Sequence, residues 1–577
     1  MSNRIWMPSV AAFALCQACA WAASPLHLYE LSGTPDSRAY DEAMAVAGLQ
    51  GIMNANSPDL YVVSKGNGRS LEWLNRLQEE GNWLSGRERA PVPDLDSLRA
   101  LAGERIAGAV IWDPAVPATI NIATTIAGVR NGVVLSPELA DQVLAKWNLP
   151  VLEDLRGRFD GSETGSAKND AYRWAIREFL DTGKCESHFL CLFEDAAQAR
   201  AGGGIGYVVT RDWAVKNKAF VFDLSPWGDE PPKDDPNQKL GTDLETYRMI
   251  LEATMKNAAG RHMTELTGFF PFWKYSNVPG YSSSHEPVPT EWESVYVMSP
   301  YNCYQNTISS DCYNQSFHSQ APFTPLKQSR PDLKTTIEKK AYVCILMADY
   351  DSATPLYDFL PKHWADPKRG TIPLAWGINP NLIETYPDVI AHFYKTATPN
   401  DHFTADASAA GYFNPNRIRP GQLPLFTKHN RHFFEATDMT IAPMVLDWDQ
   451  PSDAVKDAFA QFSPDGFATI VMDMHGNGGT VPKPQVWKGM PVTELLNNTC
   501  NFVNPQQTAN AMYGAIKDRG TQLPGFYFFR IVWTPPSAII ESLDAFRKDH
   551  PDIPIEVVDP YNFFALFKMQ YEDAKLP

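Results

Sequence analysis

The second half of the chain alternates short apolar runs with segments of helical periodicity, and this alternation restricts the fold more than any other feature. The apolar runs lie at 341–348, 371–375, 441–446, 468–472, 525–529 and 555–558. Six or seven such strand–helix units in about 240 residues are typical of a complete or irregular β/α barrel. We therefore expect a β/α-barrel-like domain over residues 326–577.

The first half shows the same rhythm with shorter runs. Strand-like segments at 59–64, 108–112, 131–135 and 219–223 alternate with helical patterns such as 39–54 and 137–147. This alternation predicts a mainly parallel sheet and places the whole chain in the α/β class. We expect an N-terminal α/β region over residues 24–325, with room for two subdomains, and a polar linker within 320–338.

Residues 1–23 have the composition of a secretory signal peptide. Arg4 supplies a positive charge, a short apolar run follows at 7–20, and Ala22 and Ala23 offer small residues for cleavage. The apolar run is too short to cross a bilayer as a helix. We therefore expect an exported protein, periplasmic or extracellular, that is not attached to a membrane after the signal is removed.

The net charge of -17 and the pI near 5.2 argue against a nucleic-acid partner, because no basic patch is visible. Six cysteines follow the predicted signal, namely Cys185, Cys191, Cys303, Cys312, Cys344 and Cys500. An even number in an exported chain suggests disulfides, and the neighbours Cys185–Cys191 and Cys303–Cys312 are the natural local pairs. No CxxC spacing occurs among the six, which argues against a thiolate zinc site.

Carboxylates follow several of the predicted strands: Asp349, Asp351, Asp447, Asp449 and Asp473. Asp349 and Asp351 lie two residues apart and therefore face the same side of an extended backbone. They repel each other unless a cation, a shared proton or donor groups compensate. Glycoside hydrolysis needs two carboxyl groups, so we predict Asp349 or Asp351 as one partner and Asp473 as the other. Glu435 is a spare candidate.

His475 stands in a glycine-rich loop directly after a predicted strand. It is either part of a structural turn or a group that orients substrate and transfers protons. Together with Asp349, Asp351 and Asp473 it could hold a divalent cation. Because no HxxxH pattern supports a metal, we predict no cofactor and assign catalytic roles to these four residues.

Aromatic and polar residues near the predicted strand ends are candidates for substrate binding: Trp273, Trp376, Asn379, Tyr412, Asp447, Trp448 and Asp449. Aromatic faces stack well on apolar surfaces while their edges stay polar, which suits sugar rings. The alternative for each tryptophan is packing in the core. Aromatic residues make up 12 % of the chain, which fits either interpretation.

Several stretches together resemble one family of exported bacterial proteins, the GxGYxYxP putative glycoside hydrolases. They include Leu49–Asn54, Phe222–Leu224, Gly241–Asp243, Trp273–Tyr275, Asp349–Asp351, Pro373–Trp376 and Asn400–Phe403. In the naming motif, Gly411 and Tyr412 are present, Ala409 replaces the first glycine and Asn414 the second tyrosine, and Pro415 comes one residue early. The resemblance implies an N-terminal α/β region, a β/α-barrel-like domain and an activity on carbohydrate.

We therefore predict an exported glycoside hydrolase that acts on a carbohydrate by carboxylate acid/base chemistry. Two alternatives remain open, namely a non-catalytic glycan-binding protein on the same fold and a metal-dependent carbohydrate deacetylase. Geometry separates them, because hydrolysis needs facing carboxyl groups whereas deacetylation needs Asp and His around one metal position. The absence of a GxSxG elbow argues against a serine hydrolase.

Overall fold

The computed structural model describes residues 24–31, 36–65, 68–192, 210–275, 285–308, 314–447, 449–470, 480–497 and 504–572. These residues form four sheets whose strands are mainly parallel, which confirms the predicted α/β class. The predicted signal peptide at 1–23 lies outside the described residues. Within the described part of the chain, no helix is long and apolar enough to cross a membrane.

Three small parallel sheets build the N-terminal region. The first contains β1 (Leu26–Leu31), β2 (Leu60–Ser64) and β3 (Arg89–Val92), in the order β2–β1–β3. The second contains β4 (Gly108–Ile111), β5 (Gly132–Leu135) and β6 (Val151–Asp154), in the order β5–β4–β6. The third contains β7 (Phe189–Leu192), β8 (Phe220–Phe222), β9 (Thr264–Gly268) and β10 (Cys303–Asn306), in the order β10–β9–β7–β8.

Helices connect these strands, as expected for parallel neighbours. Their bounds are Ser37–Met53, Arg69–Leu77, Leu95–Ala102, Thr119–Arg130, Pro137–Trp147, Ala167–Ala175, Arg211–Lys216, Thr242–Ala258, Pro287–Met298 and Gln315–His318. Several begin at side-chain caps, for example Ser136, whose hydroxyl accepts from the Leu139 amide at 3.1 Å.

The C-terminal part is a nearly closed, barrel-like sheet, as predicted. Its strands are β11 (Ala341–Ala348), β12 (Leu374–Gly377), β13 (Asp401–Thr404), β14 (Ile441–Met444), β15 (Gly466–Ile470), β16 (Gln485–Trp487), β17 (Met490–Leu496), β18 (Gly525–Val532) and β19 (Ile555–Val557). Seven run parallel in the order β13–β12–β11–β18–β17–β15–β14. The amide of Ala405, just after β13, donates to the Ile441 carbonyl at 3.2 Å and brings the two edge strands together.

Helices alternate with these barrel strands along the chain. Their bounds are Leu360–Trp364, Pro387–Lys395, Leu423–Thr437, Asp453–Phe459, Pro505–Asp518, Pro536–Asp549 and Pro560–Glu572. One turn of π-helix, Pro355–Phe359, lies just after the end of β11. β16 pairs antiparallel with β17, and β19 pairs parallel with the start of β11.

β11 is the central strand of the barrel, and all eight of its residues are buried. Tyr342, Cys344, Leu346 and Ala348 pack in one hydrophobic cluster, whereas the alternate residues pack in another. A strand covered on both faces must be apolar throughout, which explains why its sequence carries no polar residue before Asp349. The strand therefore delivers Asp349 to the carboxyl edge of the sheet.

Two strand boundaries differ from the sequence prediction for physical reasons. The strand predicted at 371–375 runs instead from Leu374 to Gly377, after Pro373, because proline cannot donate to a ladder. The strand predicted at 525–529 continues to Val532, so Arg530 lies inside it. A charge is tolerated there because Arg530 forms an ion pair with Asp349.

The predicted Cys185–Cys191 disulfide is wrong. Cys185, Cys191, Cys303 and Cys344 are all buried free thiols. Cys191 is held in β7 between β8 and β9, which fixes its backbone within the third sheet. Burial raises the pKa of both the Cys185 and the Cys191 thiol, so these groups behave as small apolar side chains. The predicted partner of Cys303, Cys312, lies outside the described residues, as does Cys500.

Candidate functional site

Three carboxyl groups meet at the carboxyl edge of the barrel sheet. Asp349 and Asp351 follow β11, and Asp406 follows β13. One oxygen of each group lies within 4.8 Å of an oxygen of each of the others. Gly377 in β12 permits this approach, because a Cβ atom there would stand 2.6 Å from Oδ2 of Asp406. We call Asp349, Asp351 and Asp406 the carboxyl cluster.

The backbone of Asp349 is held in an unusual conformation. Its φ of 64° lies in the left-handed region, which costs a residue with a side chain about 1–2 kcal/mol. Its amide donates to Oδ2 of Asp406 at 2.5 Å, and its carbonyl accepts from the Trp533 indole at 2.8 Å. Such local strain persists where surrounding contacts fix it, and it is common at functional sites.

Asp351 is buried beneath Asp349. It accepts a hydrogen bond from the Tyr412 hydroxyl at 3.0 Å. Burial, followed by the negative charge of Asp349, raises the pKa of Asp351 to about 7. Asp351 therefore keeps its proton in much of the population at neutral pH.

Asp406 is completely buried, and its Oδ1 has no hydrogen-bond partner among the described residues. Burial, followed by the charge of Asp351, holds the pKa of Asp406 well above its usual range. Asn379 fixes the segment that carries it, because its side-chain oxygen accepts from the amides of Asp406 and Ala407 at 3.3 and 3.2 Å. Asn379 therefore positions the cluster, whereas the sequence predicted a substrate contact.

Arg530 brings a positive charge into contact with the cluster. Its guanidinium pairs with Asp349 and also donates to the Asn497 side chain at 3.0 Å. Phe528 and Val532, which share its face of β18, belong to the cluster of apolar residues inside the barrel. One guanidinium cannot balance three ionised carboxylates in a buried site, so protons or a further cation must supply the rest.

Glu291 adds a fourth carboxyl group from the N-terminal region. It lies on the helix Pro287–Met298, which also places Trp292 and Val295 in the apolar cluster that contains Tyr412. Burial, followed by the charges of Asp351 and Asp349, raises the pKa of Glu291 well above its usual range. Part of the residue remains exposed, so it stands at the rim of the site.

The N-terminal region is joined to this site by main-chain hydrogen bonds. Gln305 in β10 and Tyr412 form an antiparallel bridge, with N–O distances of 3.1 and 2.9 Å. The Ala353 amide donates to the Thr307 carbonyl at 3.2 Å. Ala353 lies two residues after Asp351, and the Tyr412 hydroxyl donates to Asp351, so both bonds tie the surroundings of Asp351 to the N-terminal region.

The naming-motif segment, residues 409–415, contacts the carboxyl cluster through Tyr412. Ala409 and Gly411 have φ values of 86° and 117°, so both positions favour glycine. A Cβ atom on Gly411 would stand 2.4 Å from the Tyr304 ring. Asn414 turns its amide toward the buried Asp447 and donates to Oδ2 at 2.7 Å. These contacts fix the turn at Gly411, and the turn directs the buried Tyr412 hydroxyl toward Asp351.

Asp447 and Asp449 form a separate polar turn. Asp447 accepts from the amides of Asn416 at 2.8 Å and Asp449 at 3.1 Å, and burial raises the pKa of Asp447 to about 6. Asp449 is exposed. Asp447 thus stabilises a loop, and the predicted Trp448 between them lies outside the described residues.

The other predicted residues lie away from the carboxyl cluster or outside the described residues. Trp376 is completely buried and donates to Asp401 at 2.8 Å, so the prediction that it is a sugar platform is wrong. Trp273 lies on a short turn of the N-terminal region, where its carbonyl accepts from Lys233 at 3.2 Å. Glu435 is an exposed residue on the helix Leu423–Thr437 and follows no strand. Asp473 and His475 lie outside the described residues.

Sequence reasoning missed Asp406, Arg530, Glu291 and Trp533. Arg530 had a signal, because a lone arginine inside an apolar strand requires a buried partner. Asp406 had a weaker one, since it follows a short strand that contains Asp401 and His402. Glu291 had none, because only the packing of the two regions brings its helix to the barrel.

The cluster could also hold a hard divalent cation. Carboxylate oxygens are the ligands that Ca²⁺ and Mg²⁺ prefer, and the unpartnered Oδ1 of Asp406 is a free acceptor. Within the described residues, no histidine or cysteine joins the cluster. The donor set therefore fits a hard cation better than zinc.

The fold and the site together define a class, a protein with an α/β region and a barrel-like domain that carries an acidic site at its carboxyl edge. The chain belongs to the GxGYxYP family. Residues 34–97 match the GxGYxYP_N 1st domain, residues 106–182 the GxGYxYP_N second domain, and residues 339–568 the GxGYxYP putative glycoside hydrolase C-terminal domain. Read as GxGYxYP, the motif also places Pro415 in register, so only Ala409 and Asn414 depart from it.

A crystal structure of a putative hydrolase from Bacteroides thetaiotaomicron VPI-5482 has a similar fold. The TM-score is 0.68 at 17% identity, over 95% of this chain and 98% of that chain. A putative polysaccharide deacetylase from Mycobacterium smegmatis matches 42% of this chain and 96% of its own, with a TM-score of 0.28 at 11% identity. That score carries no conclusion about fold or activity. No curated protein matches the chain.

Proposed function

We propose that this protein is an exported glycoside hydrolase whose site lies between Glu291 and the carboxyl cluster. The observation that carries the proposal is that a carboxyl group of the N-terminal region, Glu291, lies near enough to the barrel for the charges of Asp351 and Asp349 to act on it. Glu291 comes from an N-terminal helix, and Asp349 comes from the end of β11. The family's description as glycoside hydrolase supports a carbohydrate substrate.

Glycoside hydrolysis needs one protonated and one ionised carboxyl group across the scissile bond. Burial and the charges of Asp351 and Asp349 favour the protonated form of Glu291. Asp349 is the carboxylate of the ion pair with Arg530. A buried carboxyl group whose pKa is raised is the kind of group that enzymes use as a general acid, and an ion-paired carboxylate suits the role of base or nucleophile.

In the proposed reaction, Glu291 gives its proton to the glycosidic oxygen, which takes the electron pair of the breaking C–O bond. Asp349 supplies the other half of the reaction. It either removes a proton from the attacking water or attacks the anomeric carbon itself, and the stereochemistry of the product distinguishes these routes. Asp351 and Asp406 are buried next to Asp349, and the charge of Asp351 also acts on Glu291, so in this proposal they belong to the surroundings of the reacting pair.

The test is hydrolysis by the mature chain, residues 24–577, and by Glu291→Gln. On natural glycans we expect the variant to lose roughly 10²–10⁴-fold in kcat, because the leaving group is no longer protonated. On aryl glycosides with a nitrophenolate leaving group, which departs without a proton, most of the rate should return. Equal loss on both substrates would exclude Glu291 as the acid. Asp449→Asn, exposed and outside the cluster, is the matched control.

A metal-dependent carbohydrate deacetylase is the second candidate, favoured by the convergence of three carboxylate oxygens within 4.8 Å. A bound cation would polarise the acetyl carbonyl or activate water. Asp349, Asp351 and Asp406 would hold it, with Asp349 shared between the cation and Arg530. Acetate release from acetylated xylan that stops with EDTA and returns with Mg²⁺ or Ca²⁺ would favour this candidate over the hydrolase.

Export completes the proposal. Residues 1–23 carry the positive charge, apolar run and small residues that a secretory signal requires. We expect the protein recovered outside the cytoplasm to begin near Ser24. Edman sequencing of that fraction checks this, and a chain that begins at Met1 would contradict it.

A further inference from the structure

Trp533 stands beside the carboxyl cluster with much of its surface open to solvent. It follows β18, the strand that carries Arg530, and is 44% exposed. Single exposed apolar residues are ordinary, so exposure by itself indicates no role. Its position does, because its indole nitrogen lies 2.8 Å from the carbonyl of Asp349. The ring is therefore within the width of one sugar unit from the cluster.

The ring is held rigidly by contacts at both ends. The indole N–H is fixed on Asp349, and the ring packs edge-on against Phe359 with centroids 4.8 Å apart and planes at 74°. The backbone of Trp533 has a φ of 45°, in the left-handed region that bulky residues avoid. Phe359 itself belongs to a turn of π-helix, a feature frequent at functional sites.

The same neighbourhood is the approach to the cluster. The side chain of Asp349 is 28% exposed, whereas Asp351 and Asp406 are buried. A ligand that reaches the cluster therefore meets Asp349 first. A strained, clamped and exposed tryptophan next to this carboxylate fits a binding surface better than a packing role, which would have buried the ring.

We propose that the open face of Trp533 stacks on a pyranose ring of the substrate, in the subsite next to the bond that is cleaved at Asp349. The C–H face of a sugar is apolar and matches an indole in size, and its hydroxyl edge stays hydrated. This inference rests on the proposed function for the choice of carbohydrate as ligand. It adds the residue that orients the ring over the carboxylate.

Three variants separate stacking from a structural role. Trp533→Ala removes both the ring and the hydrogen bond to Asp349. Trp533→Phe keeps an aromatic face and removes only the indole N–H. Phe323→Ala, a change at a residue that is 37% exposed in the segment before the barrel, is the matched control for loss of an exposed aromatic ring.

Binding is measured by calorimetry with xylohexaose, cellohexaose, maltohexaose and chitohexaose. Each Trp533 variant is made in a Glu291→Gln background, which lacks the proposed acid, so that turnover does not consume the probe. We expect Trp533→Ala to weaken binding of the recognised oligosaccharide roughly tenfold or more, and Trp533→Phe to stay within about threefold. Phe323→Ala should bind as the parent does.

Four results would overturn the proposed stacking of Trp533 on a sugar ring. They are unchanged affinity in Trp533→Ala, an equal loss of affinity in Trp533→Phe and Trp533→Ala, an equal loss of affinity in Phe323→Ala, or no binding of any hexasaccharide to the parent. Failure of the proposed function looks different. Binding that depends on the Trp533 ring without hydrolysis by the wild-type chain would leave the proposed stacking in place and make the protein a glycan-binding module. Hydrolysis at the same rate in wild type and in Trp533→Ala would reject only the proposed stacking of Trp533 and leave the proposed function in place.

Discussion

Asp351→Asn should make the protein more stable at alkaline pH while it reduces hydrolysis. In the wild-type chain the folded Asp351 carboxyl holds its proton up to about pH 7, whereas the unfolded carboxyl loses it near pH 4. Folding therefore takes up a proton between these values. Because the native state binds the extra proton, stability is lost as pH rises through this window and is fully present below it.

The size of the effect follows from the shift. A pKa raised from 3.8 to about 7 corresponds to about 4 kcal/mol of destabilisation above pH 7. Asparagine has no proton to lose, and its side-chain oxygen can still accept from Tyr412. Allowing about 1 kcal/mol for a poorer hydrogen bond, we expect a gain of about 2–3 kcal/mol at pH 8 and little gain at pH 4.

Urea unfolding followed by tryptophan fluorescence at pH 4, 6 and 8 measures this difference. Asp449→Asn is the control, because Asp449 is exposed and outside the cluster. The expected result is a gain that grows with pH in Asp351→Asn and stays flat in the control. An asparagine variant that is equally destabilised at every pH would refute the reasoning and indicate that Asp351 is charged and compensated, for example by a cation.

Three further predictions follow from the same geometry. Gly411→Ala should destabilise the fold by roughly 2 kcal/mol or more, because the new Cβ atom would collide with the Tyr304 ring at a residue with positive φ. Gly421→Ala is the control, since a Cβ atom there would meet no heavy atom within 4 Å. Thermal melting of the two variants measures the difference. Arg530→Gln should destabilise by about 3 kcal/mol and move the alkaline limb of any pH–rate profile upward, because that limb reports loss of the Glu291 proton and the guanidinium lowers the pKa of Glu291. Arg530→Lys should recover part of both effects. Cys185, Cys191, Cys303 and Cys344 should react with a thiol-alkylating reagent only after unfolding, and peptide mass spectrometry that finds any of these four alkylated in the native protein would contradict their burial.

The central strand and its two acids could be predicted because their signal is local. Eight apolar residues followed by Asp349 and Asp351 define a covered strand and its edge without any knowledge of neighbours. The strand before Asp406 has no such signal, because it contains the polar residues Asp401 and His402. Asp401 is buried there with partners such as the Trp376 indole, which the sequence does not reveal. The sequence does not distinguish a buried, hydrogen-bonded tryptophan such as Trp376 from an exposed one such as Trp533.

Residues brought together by packing between regions were out of reach for a different reason. Glu291 precedes the cluster by a long stretch of chain, and its helix has no pattern that distinguishes it from any covering helix. Trp533 follows a strand that sequence reasoning ended before Arg530. In both cases the decisive fact is the docking of one element on another, and local propensity contains no information about it.

The bridge between Gln305 and Tyr412 means that the candidate site is built from both regions of the chain. A fragment that begins at residue 326 would keep Asp349, Asp351 and Arg530. It would lack Glu291 and the edge strand β10, whose Gln305 pairs with Tyr412. The rate of hydrolysis would then report whether the N-terminal region is docked on the barrel. It would fall with every change that weakens the contacts between the two regions, even where each region stays folded. A chimaera that takes its barrel-like domain from a relative should therefore also take β10 and the helix Pro287–Met298 from that relative.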